Sequence, residues 1–225
     1  MNTSVFERKW GTDQSKELIV AVRYNLIIGA VLLWGFAVNW LMVYFIPAKT
    51  IQSIDYGLFF LGYFGCCFLG ISLFNKSTNP WVSFLGYNLI VVPFGLVINV
   101  VVSYFDPALV LDAMRITGMV TLLMMGLGAT FPRFFEKIGG VLAIALLGVI
   151  VVESIEVFIL GIHHDVIDWI VALIFCGYIG YDWGRAQRIP KTVDNAVDSA
   201  AALYMDIINL FLRILKILGS SRRRR

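Results

Sequence analysis

Long charge-free stretches dominate the first half of the chain: 25 residues between Arg23 and Lys49, 20 between Asp55 and Lys76, and 29 between Lys76 and Asp106. A helix needs about 20 apolar residues to cross a bilayer, so each stretch predicts one transmembrane helix. The limits read as 23–46, 56–74 and 81–104, with Pro47 and the run from Asn75 to Pro80 as breaks. The second half repeats the pattern with charges set inside it. The stretch 108–131 carries Asp112 and Arg115, 138–160 carries Glu153 and Glu156, and 166–183 carries Asp168 and Asp182. A last helix over 199–218 carries Asp206, Asn209 and Arg213. The expectation is an all-α, polytopic integral membrane protein of seven transmembrane helices. One domain, 23–218, lies between a cytoplasmic segment, 1–22, and a basic tail, 219–225.

Composition agrees with lipid as the solvent. The 225 residues are 59% hydrophobic and 15% charged, against about 25% charged in an ordinary soluble domain. Seven spans of about 20 residues would consume roughly 140 of them, which excludes a large extramembrane domain. The net charge of +3 rests on the terminal run Arg222 to Arg225, so the chain as a whole is not a nucleic-acid binder. Cys66, Cys67 and Cys176 all fall in apolar stretches without metal-ligand spacing and read as small core residues. Residues 1–20, with Glu7, Arg8, Lys9, Asp13, Lys16 and Glu17, are too polar for the apolar centre of a signal peptide.

A cytoplasmic amino terminus puts Arg8, Lys9, Lys16, Lys76, Arg133, Lys137, Arg185, Arg188 and Lys191 on the inner side. That is the positive-inside pattern. Seven crossings send Arg222 to Arg225 outside, against the rule. Three readings stay open: a last helix that re-enters, a weak exception, or a tail that is not native.

Ionisable residues inside a span are costly and face a bundle interior or a wet cavity, so they are the candidate functional residues. Asp182 ends the sixth span and Asp206 lies two turns into the seventh, which enters from the same side. An antiparallel pair of helices therefore brings the two carboxylates to similar depth. Gly177, Gly180 and Gly184, with Ala200, Ala201 and Ala202, would let those helices approach closely. Along the last helix Asp198, Ala202, Asp206, Asn209 and Arg213 recur at spacings of four, four, three and four, one narrow polar stripe on a helix otherwise apolar. Such a helix is expected at the centre, surrounded by the other six. Towards the opposite face Asp112, Glu153, Glu156, His163, His164, Asp165 and Asp168 collect negative charge, with Glu153 and Glu156 on one face, as a possible outer vestibule for cations. A plainer account has Arg115 neutralising Asp112 and the loop residues simply hydrated. Adjacent histidines rarely point at one ion, so a metal site at His163, His164 and Asp168 is disfavoured.

Tyr181-Asp182, a basic loop, and then Ala200-Ala201-Ala202-Leu203-Tyr204-Met205-Asp206-Ile207-Ile208-Asn209-Leu210-Phe211 strongly resemble the transmembrane Bax inhibitor motif family. Weaker similarity runs back through Ala143, Leu146, Leu147 and Gly148 and through Arg23 to Gly29. The resemblance implies six helices around a central seventh and a pH-sensitive calcium leak, with the family's paired aspartates falling on Asp182 and Asp206. This chain departs from the family where Trp183-Gly184 replaces the usual Thr-Gln, and where the second span lacks a basic residue. Arg23, Arg115 or Arg213 would have to serve as the latch.

Two carboxylates a few ångströms apart in a low dielectric cannot both ionise cheaply, so they share a proton and form a pH sensor. Ionised, they repel and offer the hard oxygen ligands that Ca²⁺ prefers, six to eight of which would have to include water and carbonyls. The alternative is an acid pair that only ties two helices together through a shared proton. No cofactor is expected beyond Ca²⁺ as a transported or weakly bound ion, and the partners are the bilayer, Ca²⁺ and H⁺, with no protein partner identified. An aspartyl protease is disfavoured because Pro107-Ala108-Leu109 precedes Tyr181-Asp182 and no Gly-x-Gly-Asp surrounds Asp206. No enzyme is expected. A proton-coupled transporter, in which Pro93 breaks or kinks a helix, and a non-conducting regulator of stress or cell death are the alternatives. The membrane is expected to be a bacterial plasma membrane, with the endoplasmic reticulum as the alternative.

Overall fold

The computed structural model describes residues 18–161 and 164–223, and every regular element among them is helical. In chain order these are α1 (Ala21–Phe45), α2 (Ala48–Gln52), α3 (Tyr56–Lys76), α4 (Pro80–Val102), α5 (Pro107–Thr130), α6 (Pro132–Ile155), a π-helical segment (Glu156–Leu160), α7 (Asp165–Ala186) and α8 (Val193–Arg223). Six of them, α1 and α3 to α7, are long and apolar enough to cross a membrane. The last helix, α8, has 31 residues and is too rich in charge to join that set.

Polar loop residues turn out to be helix caps. Asp55 Oδ1 accepts from Leu58 N at 3.0 Å, Asn79 Oδ1 from Trp81 N at 3.0 Å and Asp106 Oδ1 from Ala108 N at 2.8 Å. Pro80, Pro107 and Pro132 stand at the first helical position, where a missing N–H costs nothing. Two boundaries move accordingly. α6 begins at Pro132, not 138, because the basic residues Arg133 and Lys137 lie on its first turns. α8 begins at Val193, not 199, and runs past 218 to Arg223. α4 passes through the buried Pro93 without a break. The three cysteines are half-buried and not core residues.

Contacts within the chain define two compact units. The first comprises residues up to Tyr104 with Arg188–Tyr204; the second comprises Phe105–Gln187 with Met205–Arg225. The final helix thus contributes its first third to one unit and the remainder to the other.

In the first unit α4 packs on α3 and on α1. At the α3–α4 crossing a Cβ on Gly86 would stand 2.7 Å from the carbonyl oxygen of Gly70, so the two backbones touch. The start of α8 is held by polar bonds: Tyr24 Oη to Ser199 Oγ at 3.0 Å, Ser83 Oγ donating to Asp194 Oδ1 at 2.7 Å, and Asn39 Nδ2 donating to Tyr204 Oη. Tyr204 and Tyr87, both fully buried, meet edge to face at 5.4 Å.

In the second unit α7 packs on α5 and α6. A Cβ on Gly128 of α5 would collide with the carbonyl oxygen of Gly180 of α7, and one on Gly184 would lie 2.8 Å from the carbonyl oxygen of Gly128. Gly177 faces Leu142, and Gly180 also faces the Phe135 ring. These glycines therefore seat α7 on α5 and α6, not on the last helix as expected from sequence. Gly128→Leu should be strongly destabilising, because the obstacle is a main-chain oxygen that cannot rotate away. Gly118→Leu, on the same helix with nothing within 4 Å of its Cβ, should be near neutral. Thermal unfolding of both in one detergent checks the contrast.

Candidate functional site

The glycine crossings fix the part of α7 that carries Asp182. Two residues before it Gly180 lies against α5 and Phe135; two after it Gly184 lies against Gly128. Next to it the Tyr181 ring covers Gly139, 2.6 Å from where a Cβ would stand. Asp182 is thereby set on a rigid support facing α8, where its carboxyl is hydrogen-bonded to that of Asp206. A bond between two carboxyl oxygens requires a proton between them, since two carboxylate anions have none to donate. Asp206 is 7% exposed, so the shared proton lies in a site largely closed to water.

Two neighbours complete the site and were not foreseen from sequence. Arg185 Nη1 lies 3.9 Å from Asp182 Oδ1, three residues on along α7. Tyr178 stands one helical turn before Asp182, on the same face of α7. The i,i+3 and i,i−4 spacings were the available signals. The arginine beside the dyad is therefore Arg185 and not one of the three expected latches.

Those three lie elsewhere. Arg213, two turns beyond Asp206, is the hub of a second cluster. Its Nη1 donates to Glu153 Oε1 at 2.8 Å and to Asp168 Oδ1 at 2.6 Å, and its Nη2 donates to Glu153 Oε2 at 2.7 Å. Lys216 Nζ stands 4.0 Å from the same Asp168 oxygen. Asp168 is 1% exposed, so this carboxylate is buried only because it is paired. Arg115 pairs with Asp112 at 3.5 Å on the exposed face of α5. Arg23 is exposed in the first unit.

The expected acidic vestibule is likewise divided. Glu153 and Asp168 converge on Arg213, whereas Glu156 bonds His164 Nδ1 at 2.7 Å. Glu156 opens the π-helical segment, whose wider turn parts it from Glu153 before Gly161, at φ +63°, ends the helix. His164 and Asp168 therefore have different partners, and His163 lies outside the described residues. Among the described residues no three metal-binding side chains converge. Of the polar stripe, Asp198 is buried in the first unit, and Asn209 donates back to the carbonyl of Met205 at 2.8 Å.

Comparison with known proteins identifies related membrane proteins. The chain is 32% identical over 130 residues to Bax inhibitor 1 of Schizosaccharomyces pombe, covering 56% of this chain and 47% of that protein. It is 34% identical over 124 residues to protein lifeguard 4 of Mus musculus, covering 55% and 52%. A membrane protein of Vibrio cholerae is 32% identical over 114 residues, half of each chain. The match spans about half the length of these relatives. The sequence model of the family described as "Bax1-I: Inhibitor of apoptosis-promoting Bax1" matches residues 19–223, almost the whole chain, which therefore belongs to the Bax inhibitor family of integral membrane proteins.

Proposed function

We propose that the chain is a pH-sensitive cation leak, passing Ca²⁺, whose gate is the proton shared by Asp182 and Asp206. The observation that carries this reading is the carboxyl–carboxyl hydrogen bond that joins Asp182 of α7 to Asp206 of α8. While the proton is shared, the bond ties α7 to the second part of α8 and the site is neutral enough to remain dry. When the proton leaves, two like charges face each other in a low dielectric and separate, and their oxygens are offered to a hard cation. Arg185 then stabilises one of the two anions, which sets how far the pair must open. In this reading the last helix, with Leu203, Tyr204, Leu210 and Leu215 at most 1% exposed, is the central one among the six apolar helices. The chain acts without catalysis, in a bacterial plasma membrane with its amino terminus in the cytoplasm.

Ca²⁺ uptake into liposomes holding the purified protein and a trapped calcium dye tests it. Flux should exceed that of empty liposomes and should rise with pH. Flux equal to that of empty liposomes at every pH would remove the leak. The names of the relatives, Bax inhibitor 1 and protein lifeguard 4, favour as a second reading a non-conducting regulator of cell death or stress. In that case the dyad variants would change partner binding and no ion flux.

A further inference from the structure

Helix α5 carries an ion pair on an exposed face. Arg115 and Asp112 meet at 3.5 Å, and their side chains are 65% and 55% exposed. At 1.5 Å per residue, Asp112 and Arg115 stand about 7.5 and 12 Å from the start of a helix about 36 Å long. Among the described residues of the six apolar helices, no other exposed charge is set as far from a helix end as Arg115. A charge left open to lipid at that depth is costly, so the position calls for a polar cover. Around the pair the face is apolar or small. Leu111, Met119 and Leu122 are exposed on it, and Gly126, three turns beyond Arg115, has nothing within 4 Å of where a Cβ would stand.

We infer that this face of α5 is the contact between two copies of the chain, in which Asp112 of each copy pairs with Arg115 of the other. Charge complementarity chooses a second copy as the occupant. The patch holds one acid and one base and so has no net charge to draw a lipid of either sign, and a phospholipid presents its charges at the surface, above the depth of Arg115. Two copies inserted the same way are related by a twofold axis along the membrane normal, which sets the same residues at the same depth on both sides. Asp112 of one copy then lies one helical turn nearer the surface than Arg115 of the other. Helical side chains lean towards the amino terminus of their helix, so each arginine reaches in that direction. Its guanidinium has five N–H donors, enough for the carboxylate of its own helix and for the one across the contact. Gly126, without a side chain, lets the two helices approach further along the same face. The contact is independent of whether the chain conducts ions.

The test is Förster transfer between donor-labelled and acceptor-labelled copies of the full chain in liposomes, over a graded protein-to-lipid ratio. Native copies should associate beyond the level set by random proximity. Arg115→Asp leaves two acids on the face and Asp112→Arg two bases. Each variant alone should associate at least about tenfold more weakly, since like charges are forced together. Mixed with each other, the two variants should recover association close to that of the native chain, because an acidic face then meets a basic one. An ion pair acting only within its own helix produces no such recovery. Lys137→Gln, which removes an exposed cation on α6, should leave association unchanged. Native copies that never exceed random proximity would give this face to lipid and overturn the contact. So would charge variants that associate like the native chain, or a mixture of the two folded variants no stronger than its components. Should either charge variant fail to fold, Gly126→Trp replaces it: bulk on the same face must weaken association, and undiminished association refutes the contact.

Discussion

Asp206→Asn is expected to flatten the pH dependence of cation flux and leave it at its low, acid-side level. The asparagine amide donates permanently to Asp182, so the α7–α8 tie of the protonated pair persists at every pH. In the native chain the tie depends on one proton, and a single linked proton changes an equilibrium by at most tenfold per pH unit. Native flux is thus expected to climb by up to about tenfold per unit as the proton is lost, and that of the variant to change less than about twofold over the same range. Asp182→Asn should behave alike, and the double variant should show no repulsion and no slope. Dye-loaded liposomes at graded pH read all four proteins. A native slope surviving in either single variant would assign the sensor to another group.

Arg213→Gln should produce the largest loss of stability. The arginine is the charged partner of Glu153 and the closer of the two facing Asp168, whose side chain is 2% exposed. Removing one member of a buried ion pair costs about 3–5 kcal/mol. Glu153→Gln should cost less, because Arg213 keeps its 2.6 Å bond to Asp168. Combining the two should recover part of the loss, as expected for residues in one network. Lys216, 4.0 Å from Asp168, is too distant to replace the arginine. Denaturant titration of the three variants in a common detergent gives the coupling. Equal stability of Arg213→Gln and the native chain would mean that water reaches this cluster.

Lipid made much of this fold legible. An uncharged run of 20 residues has one stable arrangement in a bilayer, so the first three spans fall within a few residues of their limits. The proximity of Asp182 and Asp206 was legible for a similar reason: α7 ends and α8 begins at the same side, and helical rise converts residue number into depth. Helix starts rich in polar residues were not, since Asp194 and Asn195 read as loop until the structure buries them against Ser83 and Tyr24. Nor does a glycine name its neighbour. Gly177, Gly180 and Gly184 announce close packing, and only the fold shows that α5 and α6 receive it. The arginines fail in the same way, because a long flexible cation reaches any of several acids, and tertiary placement alone gave Arg213 to Glu153 and Asp168 and left Arg185 beside Asp182.

That α8 belongs to both compact units bears on how the protein is made. Helices α1, α4, α6 and α7 leave the ribosome first, carrying polar groups whose partners on α8 do not yet exist: Asn39 waits for Tyr204, Ser83 for Asp194, and Glu153 and Asp168 for Arg213. Neither unit is able to complete its interior until the final helix has been synthesised. Until α8 has been made, the nascent chain must therefore be sheltered in the membrane, by the insertion machinery or by hydrated lipid defects, with these polar groups still without their partners on α8.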